Sequence, residues 1–515
     1  VVGDVAGKND LKLSRRRFLR GAGATALATG ATPLLAPRAA AARALRARAA
    51  GLPLLRAHPV LARAGEVRRF HSEPDLGVPA VAVAANSRAL SGGYVMLGLQ
   101  ALRGSHPGVM LIGGVNELTY YGTQPRWPSN VAAWEYAGQR VLAYWDGRIV
   151  KPGYGVGEAT LLNEAYERVT TIRAANGLDM DLHELRITPQ GTALFTCFPV
   201  TVEADLRPVG GPRSGQVLES VFQEVDISSG RLLMEWRSLD HIPIADSYLP
   251  FTHQPYDYLH LNSVSLTPDN HLLVSGRHTW ALYKLDRNSG EVIWRLGGKS
   301  SNWRLSPEAR FSWQHDSSQP FEKTITVFDD GAAPPIFTER NSRGLVLGLN
   351  PRSREVVAAS VYLHPGAHVL AGAMGSVQLL PDEQVIVGWG FGPYATQYHH
   401  NGPALADYRL PEGQISYRAM RLPWQGHPTW APQIASTTDA RTGQSVLYAS
   451  WNGSTETAFW QVNAGTSASS LAPAAIAPNR GFETAIQLGS ASGYVSVTAL
   501  DRAHRPLATS APLHL

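Results

Sequence analysis

The chain has 515 residues with 49 Gly, 35 Pro and 13 Trp. Without long amphipathic helical patterns, that profile excludes an all-helical fold and fits a turn-rich all-β protein large enough for two or three domains. The net charge of +5 is an N-terminal effect: residues 1–50 carry ten Lys/Arg against two Asp/Glu, a balance of +8, so the remainder carries −3.

The N-terminus accounts for the basic excess. "SRRRFLR" at Ser14–Arg20 precedes a short uncharged run, "GAGATALATGATPLLA", and small residues at Ala39–Ala42. Residues 1–42 are therefore expected to be a twin-arginine export signal rather than a membrane span, because the apolar run is too short to cross and small-residue processing sites follow it. The expected partner is the twin-arginine translocase and the expected location is extracytoplasmic, with no stable membrane span in the mature protein. Cys197 is the sole cysteine, so no intrachain disulfide can form. An Ala/Arg-rich linker is expected over 43–68.

Strand-like runs then continue to the C-terminus. "HELRITPQGTALFT" (183–196), "HLNSVSLTPDNHLLVS" (260–275) and "SVQLLPDEQVIVGW" (376–389) each read as strand, Pro-centred turn, strand. "HDSSQPFEKTITVF" (315–328) is a fourth copy with a looser turn. A second element trails them: "DISSGRLLMEW" (226–236) and "DRNSGEVIW" (286–294), with "NPRSREVVAASV" (350–361) a weaker version. Repeats of this kind predict the blades of a β-propeller over 69–434. From about 435 the strands lack the His-bearing repeat, which predicts a small β-sandwich over 435–515 with Trp451 and Trp460 in its core.

His183, His260 and His315 are each expected at the start of a first strand, and so around one axial opening. In the 260–275 hairpin the turn centres near 268.5. Facing positions then sum to about 537, which sets His260 opposite Arg277 with Cβ atoms about 5 Å apart. An imidazole and a guanidinium at one hairpin mouth call for an anion, a carboxylate or water as third member.

Several chemistries fail on motif. In "RLGGKS" (295–300) the first glycine of a P-loop would fall on Ile293. "CFPVT" (197–201) lacks the arginine of the sulfatase signature. There is no His-Glu-x-x-His, no zinc-spaced Cys/His cluster, no nucleophile elbow, and no basic patch with interleaved aromatics for nucleic acid. A three-His metal site from His183, His260 and His315 stays open, opposed by the nearby Arg277 cation. A histidine nucleophile also remains: His315 in "FSWQHDS", with Arg277 gripping oxygens of an anionic group and His260 and His183 donating hydrogen bonds to it. His399 and His400 precede an Asn-Gly hairpin tip and are expected to be non-catalytic.

The dispersed elements "DYLHLNSV", "SGRHT", "LGGK", "FSWQHD" and "VFDDG" resemble the arylsulfotransferase family, in its actinobacterial and fungal branch, over about residues 70–430. The resemblance implies a six-bladed propeller and nucleotide-independent, ping-pong transfer of sulfuryl groups from aryl sulfates to phenols. By motif it implies His315 as the sulfated histidine, His260 and Arg277 as the sulfuryl-binding pair, His183 as a further active-site histidine, and Asn262 and His278 as substrate-binding residues, Asn262 orienting His260. It implies no cofactor and no metal. The chain departs from enterobacterial members in having Asp316 after the nucleophile, where an acid either orients the histidine or repels an anionic donor. Two other classes stay in view: a quinone-dependent dehydrogenase propeller, suggested by the Trp-ending repeats, and a non-catalytic ligand-binding propeller.

Replacing Arg15 and Arg16 with Lys is expected to retain the protein in the cytoplasm, read by fractionation and immunoblot. Unchanged export would count against the twin-arginine assignment.

Overall fold

A computed structural model describes residues 52–59, 67–85, 90–101, 107–114 and 117–515. The expected export segment Ser14–Arg20 and its expected processing sites lie outside the described residues, as does most of the expected linker. Within 43–68, Ala57–Pro59 is a strand that pairs with Thr484–Ile486. Among the described residues the chain is all-β: the helical elements are four three-residue 3-10 turns. No helix there is long and apolar enough to cross a membrane.

The chain divides into two compact units. The first comprises residues 174–188 and 192–405. It is built from antiparallel sheets whose strands follow chain order. Met180–Ile187, Thr192–Ala204, Gly215–Asp226 and Leu232–Arg237 form one. Leu261–Leu266, Leu272–Gly276, Ala281–Leu285 and Val292–Gly297 form the next. His315–Phe321, Thr324–Asp329, Arg343–Asn350 and Glu355–Tyr362 form a third, and Ser376–Leu380, Gln384–Gly388 and Tyr394–His399 belong to a fourth. All four hairpins expected from the sequence are present.

Alternation along each strand ties these sheets together. Leu272 and Val274 enter a cluster with Val264, Tyr283 and Trp236, whereas Leu273 between them enters a cluster with Leu282, Ile325 and Leu345. Val346 packs with Val377, Val387 and Trp389, while its neighbours Leu345 and Leu347 point into the preceding cluster. Successive side chains face opposite sides of a strand, so each central sheet is buried on both faces. Every such side chain contributes about 1.5–3 kcal/mol on burial. The polar face of Leu261–Leu266 meets a neighbouring sheet rather than water, and its serines are satisfied there: Ser263 Oγ bonds Ser317 Oγ (2.9 Å) and Ser265 Oγ donates to the Ser317 carbonyl (3.1 Å).

The trailing repeat has a common turn chemistry. Asp226 Oδ1 accepts the Ser229 amide, Asp286 Oδ1 the Asn288 and Ser289 amides, and Asn350 Oδ1 the Arg352 and Ser353 amides. Gly230 and Gly290 take the left-handed position that ends the first two turns (φ 68° and 78°). In the third, Arg354 occupies it at φ 53°, which is why that copy is the weaker match: only glycine adopts this conformation without steric cost.

The second unit comprises the described residues between 52 and 173, Pro189–Gly191 and Ala406–Leu515. Gln414–Leu422, from late in the chain, pairs with the early strand Tyr94–Ala101, which continues to Gly108–Gly113 and Glu117–Thr123. Trp127–Tyr136, Gln139–Lys151, Tyr154–Leu162 and Arg168–Ile172 form a further antiparallel series. Two C-terminal sheets share one apolar cluster, with Leu447, Ala449 and Trp451 from one side and Trp460, Val462 and Val497 from the other. Trp451 and Trp460 are core, as expected.

Candidate active site

His183, His260 and His315 all belong to the first unit, each at an irregular stretch of a sheet's leading strand. The register shifts between Met180 and Leu185, between Leu261 and Ser263, and between His315 and Ser318. His315 opens its strand and His260 directly precedes one, as expected. His183 is instead the fourth residue of Met180–Ile187, because that strand begins earlier than the apolar pattern suggests. Bulges of this kind bend a strand and re-aim its side chains.

The hairpin mouth behaves as counted, for a reason the count did not contain. Near the turn, facing residues sum to 538, as in Val264 opposite Val274; beyond the irregularity at Asn262 they sum to 537, as in Leu261 opposite Gly276. The Arg277 amide then donates to the His260 carbonyl (3.2 Å). His260 sits at φ 51°.

Each histidine has a carboxylate behind its ring. His315 Nδ1 bonds Asp330 Oδ2 at 2.7 Å, His260 Nδ1 bonds Asp257 Oδ2 at 2.7 Å, and His183 Nδ1 bonds Asp181 Oδ2. The His183 and His260 rings meet edge to face with centroids 4.9 Å apart. The Met374 amide donates to His315 Nε2 (3.3 Å). A neutral imidazole with an acceptor at Nε2 carries its proton on Nδ1, so this contact fixes the tautomer and leaves a lone pair on Nε2. His315 and Asp330 are both fully enclosed. Burial raises the Asp330 carboxyl well above the ordinary carboxylate range, against the pull of the Arg277 charge.

Arg277 is held on three sides. Nη2 donates to the Gly372 carbonyl (2.7 Å), Nη1 donates to His278 Nε2 (3.0 Å), and the guanidinium carbon lies 5.3 Å from the centre of the Trp313 ring. His278 Nδ1 donates to the Asp257 carbonyl (2.6 Å). Both nitrogens of His278 are thus engaged by protein, and its geometry is that of a support for Arg277. Trp313 in turn meets Trp280 (5.3 Å), which stacks on Tyr248 (3.8 Å). Burial pushes His278 down to about 3 and also lowers His260, with the Arg277 charge adding in the same direction and Asp257 opposing.

The backbone is strained around this group. His260, Trp280, Trp313, Asp316 and Met374 all have positive φ (47–68°). Left-handed non-glycine residues cost of order 1–3 kcal/mol each and collect at functional sites. Five buried polar atoms here have no hydrogen-bond partner in the protein: Asn262 Oδ1, Trp280 Nε1, Trp313 Nε1, Gln314 Oε1 and Asp330 Oδ1. Buried orphan groups at this density mark a site that is not built for stability.

Asn262 donates to the Gln314 carbonyl (2.6 Å), and Gln314 Nε2 reaches Ser275 Oγ, Gly276 O and Ala281 O. It therefore ties the His260 strand to the backbone before His315, and orienting His260 falls to Asp257. Asp316 pairs with Arg186 (3.1 Å) and accepts the Val377 amide (3.2 Å), so its charge is committed away from His315 Nε2. Lys299 of "LGGK" donates to the Ala245 and Ser247 carbonyls and lies over the Tyr248 ring, a structural anchor. His399 is exposed at a strand end.

The sequence reading missed Asp181, Asp257 and Asp330, and also Trp313 and the 372–374 segment. An Asp two residues before His183 and three before His260 was a visible local signal. Asp330 had none beyond the double acid in "VFDDG". As for a metal, the ligand atoms of Asp257, His260 and His278 lie within 4.8 Å of one another, a different group from the three histidines first considered. His278 spends its Nε2 lone pair on Arg277, and that guanidinium stands beside the place a cation would take, so these residues do not suit one.

A family model described as "Arylsulfotransferase (ASST)" matches residues 134–410. No curated protein matches the chain. Similar solved structures include a protein of unknown function from Bacteroides caccae (13% identity, 64% of this chain and 100% of that one, TM-score 0.38). A catalytically inactive virginiamycin B lyase from Staphylococcus aureus with quinupristin is also similar (8%, 64% and 84%, TM-score 0.30). So is a putative 6-phosphogluconolactonase from Bacteroides uniformis (10%, 82% and 100%, TM-score 0.36).

The lowered His278 makes a pH prediction. Above about 6.5 the ring is neutral in both folded and unfolded chains and contributes nothing. Below that, the unfolded chain takes up a proton that the folded one refuses until about pH 3, so stability is lost as pH falls through this window. At pH 4.5 the loss is on the order of 2–3 kcal/mol. Gln at this position keeps a donor and an acceptor without titrating. Thermal midpoints at pH 7.5 and 4.5 are expected to fall further for the wild type than for His278→Gln; equal falls would refute the assignment.

Proposed function

Because the chain belongs to the arylsulfotransferase family, its motif-bearing region supports aryl sulfotransferase activity, and we propose that it moves a sulfuryl group from an aryl sulfate to a phenol through a sulfohistidine at His315. The carrying observation is the His315–Asp330 pair, with Nδ1 on the carboxyl and a lone pair on Nε2. Nε2 attacks sulfur, the S–O bond to the aryl group breaks, and its electron pair leaves on the phenolate oxygen. Asp330 accepts the Nδ1 hydrogen bond throughout and offsets the positive charge that builds on the ring as the N–S bond forms. In the second half a phenol oxygen attacks sulfur, the N–S bond breaks and its electrons return to Nε2.

His260 serves the aryl oxygens in this scheme. With Nδ1 on Asp257 its neutral ring has a lone pair at Nε2 and cannot donate a hydrogen bond there, so the expected role as a neutral donor is replaced by proton transfer. It takes the proton of the acceptor phenol and, once protonated, gives one to the departing phenolate. Arg277 binds sulfuryl oxygens, held flat by Trp313 and braced by His278. His183, edge to face with His260, limits that ring's rotation. The transfer exchanges one aryl sulfate for another, so neither nucleotide nor metal is called for.

The same reading takes the successive sheets as a six-bladed propeller, closed where Gln414–Leu422 joins Tyr94–Ala101, with the two C-terminal sheets as a sandwich. It takes the N-terminal segment as an export signal, with the enzyme acting outside the cytoplasm.

Incubation with 4-nitrophenyl sulfate alone is expected to add one sulfuryl mass to a peptide containing His315. His315→Ala is expected to abolish both that mass and transfer to phenol, with an unchanged β-type circular dichroism spectrum. Transfer at normal speed in the variant would sink the nucleophile assignment.

Arg277→Lys keeps the charge and loses the planar fork that reaches two partners. A fall in kcat/KM of about a hundred- to a thousand-fold is expected. Near-normal kinetics would place the guanidinium outside the transition state.

A further inference from the structure

Residues 363–375 run from the end of Glu355–Tyr362 to the start of Ser376–Leu380, and their last turn touches the two groups on which the proposed chemistry depends. The Gly372 carbonyl takes the Arg277 Nη2 hydrogen (2.7 Å), and the Met374 amide occupies the Nε2 lone pair of His315 (3.3 Å). A carbonyl oxygen on the guanidinium stands where a sulfuryl oxygen would bind. The amide hydrogen stands on the lone pair that would bond sulfur, and one lone pair cannot do both.

The segment is anchored ahead of its tip: Val369 and Ala371 are buried among Val377, Val387 and Trp389, the His364 ring packs on Tyr394 (4.2 Å) and Trp389 (5.6 Å), the Tyr398 hydroxyl donates to the Leu363 carbonyl (2.9 Å), and His368 Nδ1 bonds Asn341 Oδ1 (2.8 Å). Ser342 Oγ accepts the Ala371 amide (2.8 Å) and donates to the Asp330 carbonyl (2.7 Å), and the Ser342 amide donates to the Val369 carbonyl (2.8 Å). The Phe391 amide reaches the Ala373 carbonyl (3.3 Å). Gly372, Met374 and Gly375 all have positive φ (70°, 68° and 114°). At Gly375 a Cβ would fall 2.3 Å from the Phe328 ring, so this turn presses against the sheet and has no room for a side chain. Leu363 and Leu370 are exposed, and Gly372–Met374 is the stretch that reaches Arg277 and His315. Left-handed backbone at Gly372 and Met374 on an anchored base confines a second position to this short tip, whose hold on Arg277 and His315 is two hydrogen bonds.

We propose that residues 372–374, the tip of the 363–375 segment, form a strap that fills the sulfuryl subsite in the resting protein and lifts from His315 and Arg277 when an aryl sulfate enters. This rests on the reading of those two residues as the sulfuryl site. The strap keeps the Nε2 lone pair from water and from small anions, and only a donor that replaces both of its hydrogen bonds displaces it. Arg277 exchanges a carbonyl for an anionic oxygen, and His315 exchanges a hydrogen bond for a bond to sulfur.

Hydrogen–deuterium exchange on the wild-type full chain tests this, with and without excess 4-nitrophenyl sulfate and no acceptor. Intact mass of the His315 peptide is followed in the same samples. Sulfated protein is expected to exchange faster in peptides covering 364–376, while peptides of the flanking strands are unchanged. Ser342→Ala removes a fastening that touches no reacting atom. Its burst of 4-nitrophenol at sub-saturating donor is expected to be about two- to ten-fold faster, the equivalent of one net hydrogen bond. Sulfation of His315 with unchanged or slower exchange over 364–376 would overturn the strap while leaving the sulfohistidine intact, and a slower burst in Ser342→Ala would do the same. Absence of any mass on His315 would overturn the underlying reading and the strap with it.

Discussion

A carboxylate behind a ring nitrogen is the constraint on which this site depends. Asp181, Asp257 and Asp330 each take Nδ1 of a histidine, and in doing so settle three things at once: the rotamer, the tautomer and which nitrogen faces outward. A buried imidazole without such a partner has two nearly equal ring flips and two tautomers. With the partner, and with the Met374 amide on the far side, His315 has one arrangement, and it is the one with a lone pair on Nε2. The carboxylates are costly to bury. At Asp330 burial favours the protonated form, and the Arg277 charge works against it on the side of the carboxylate that His315 Nδ1 faces.

The charge balance around the site is built by pairing carboxylates with cations of their own, while the Arg277 charge faces the buried Asp330 carboxyl. Asp316 goes to Arg186, and Asp329 to Arg343. His278 and His260 resist protonation. The guanidinium is held in place by a carbonyl, an imidazole and an aromatic face. Had Asp316 pointed at His315, the same sequence would have presented a negative charge to an anionic donor. Its positive φ, at the residue after His315, turns its side chain to Arg186 and the Val377 amide instead.

Rigid sheets make this placement possible. Strands buried on both faces leave little freedom at their ends, and the irregular registers at the three histidines convert that stiffness into fixed side-chain directions. The strained residues and orphaned polar atoms that collect here are tolerated because the clusters on either side of each sheet supply stability the site does not.

Much of the framework was legible in the sequence because it is local. Period-2 alternation and Pro or Asn-Gly turns fix hairpins within about fifteen residues, so the strand pairs, the Asp-Ser-Gly turns and the core tryptophans of the C-terminal sheets could be read directly. His260 and Arg277 were brought together by one hairpin, and counting from its turn reached the right partner, although the count near the turn was one short and a bulge at Asn262 restored it. The carboxylates two and three residues before His183 and His260 were equally local and simply went unread. What the sequence could not decide is everything that crosses between elements. Asp330 reaches His315 from the end of the neighbouring strand, Arg186 claims Asp316 from a different sheet, and Met374 arrives from some sixty residues downstream. Asn262 and His278, which looked like substrate contacts by motif, are engaged by Gln314, Asp257 and Arg277. Such contacts are set by how sheets stack, and stacking depends on the summed shape of two buried faces rather than on the spacing of residues along either strand.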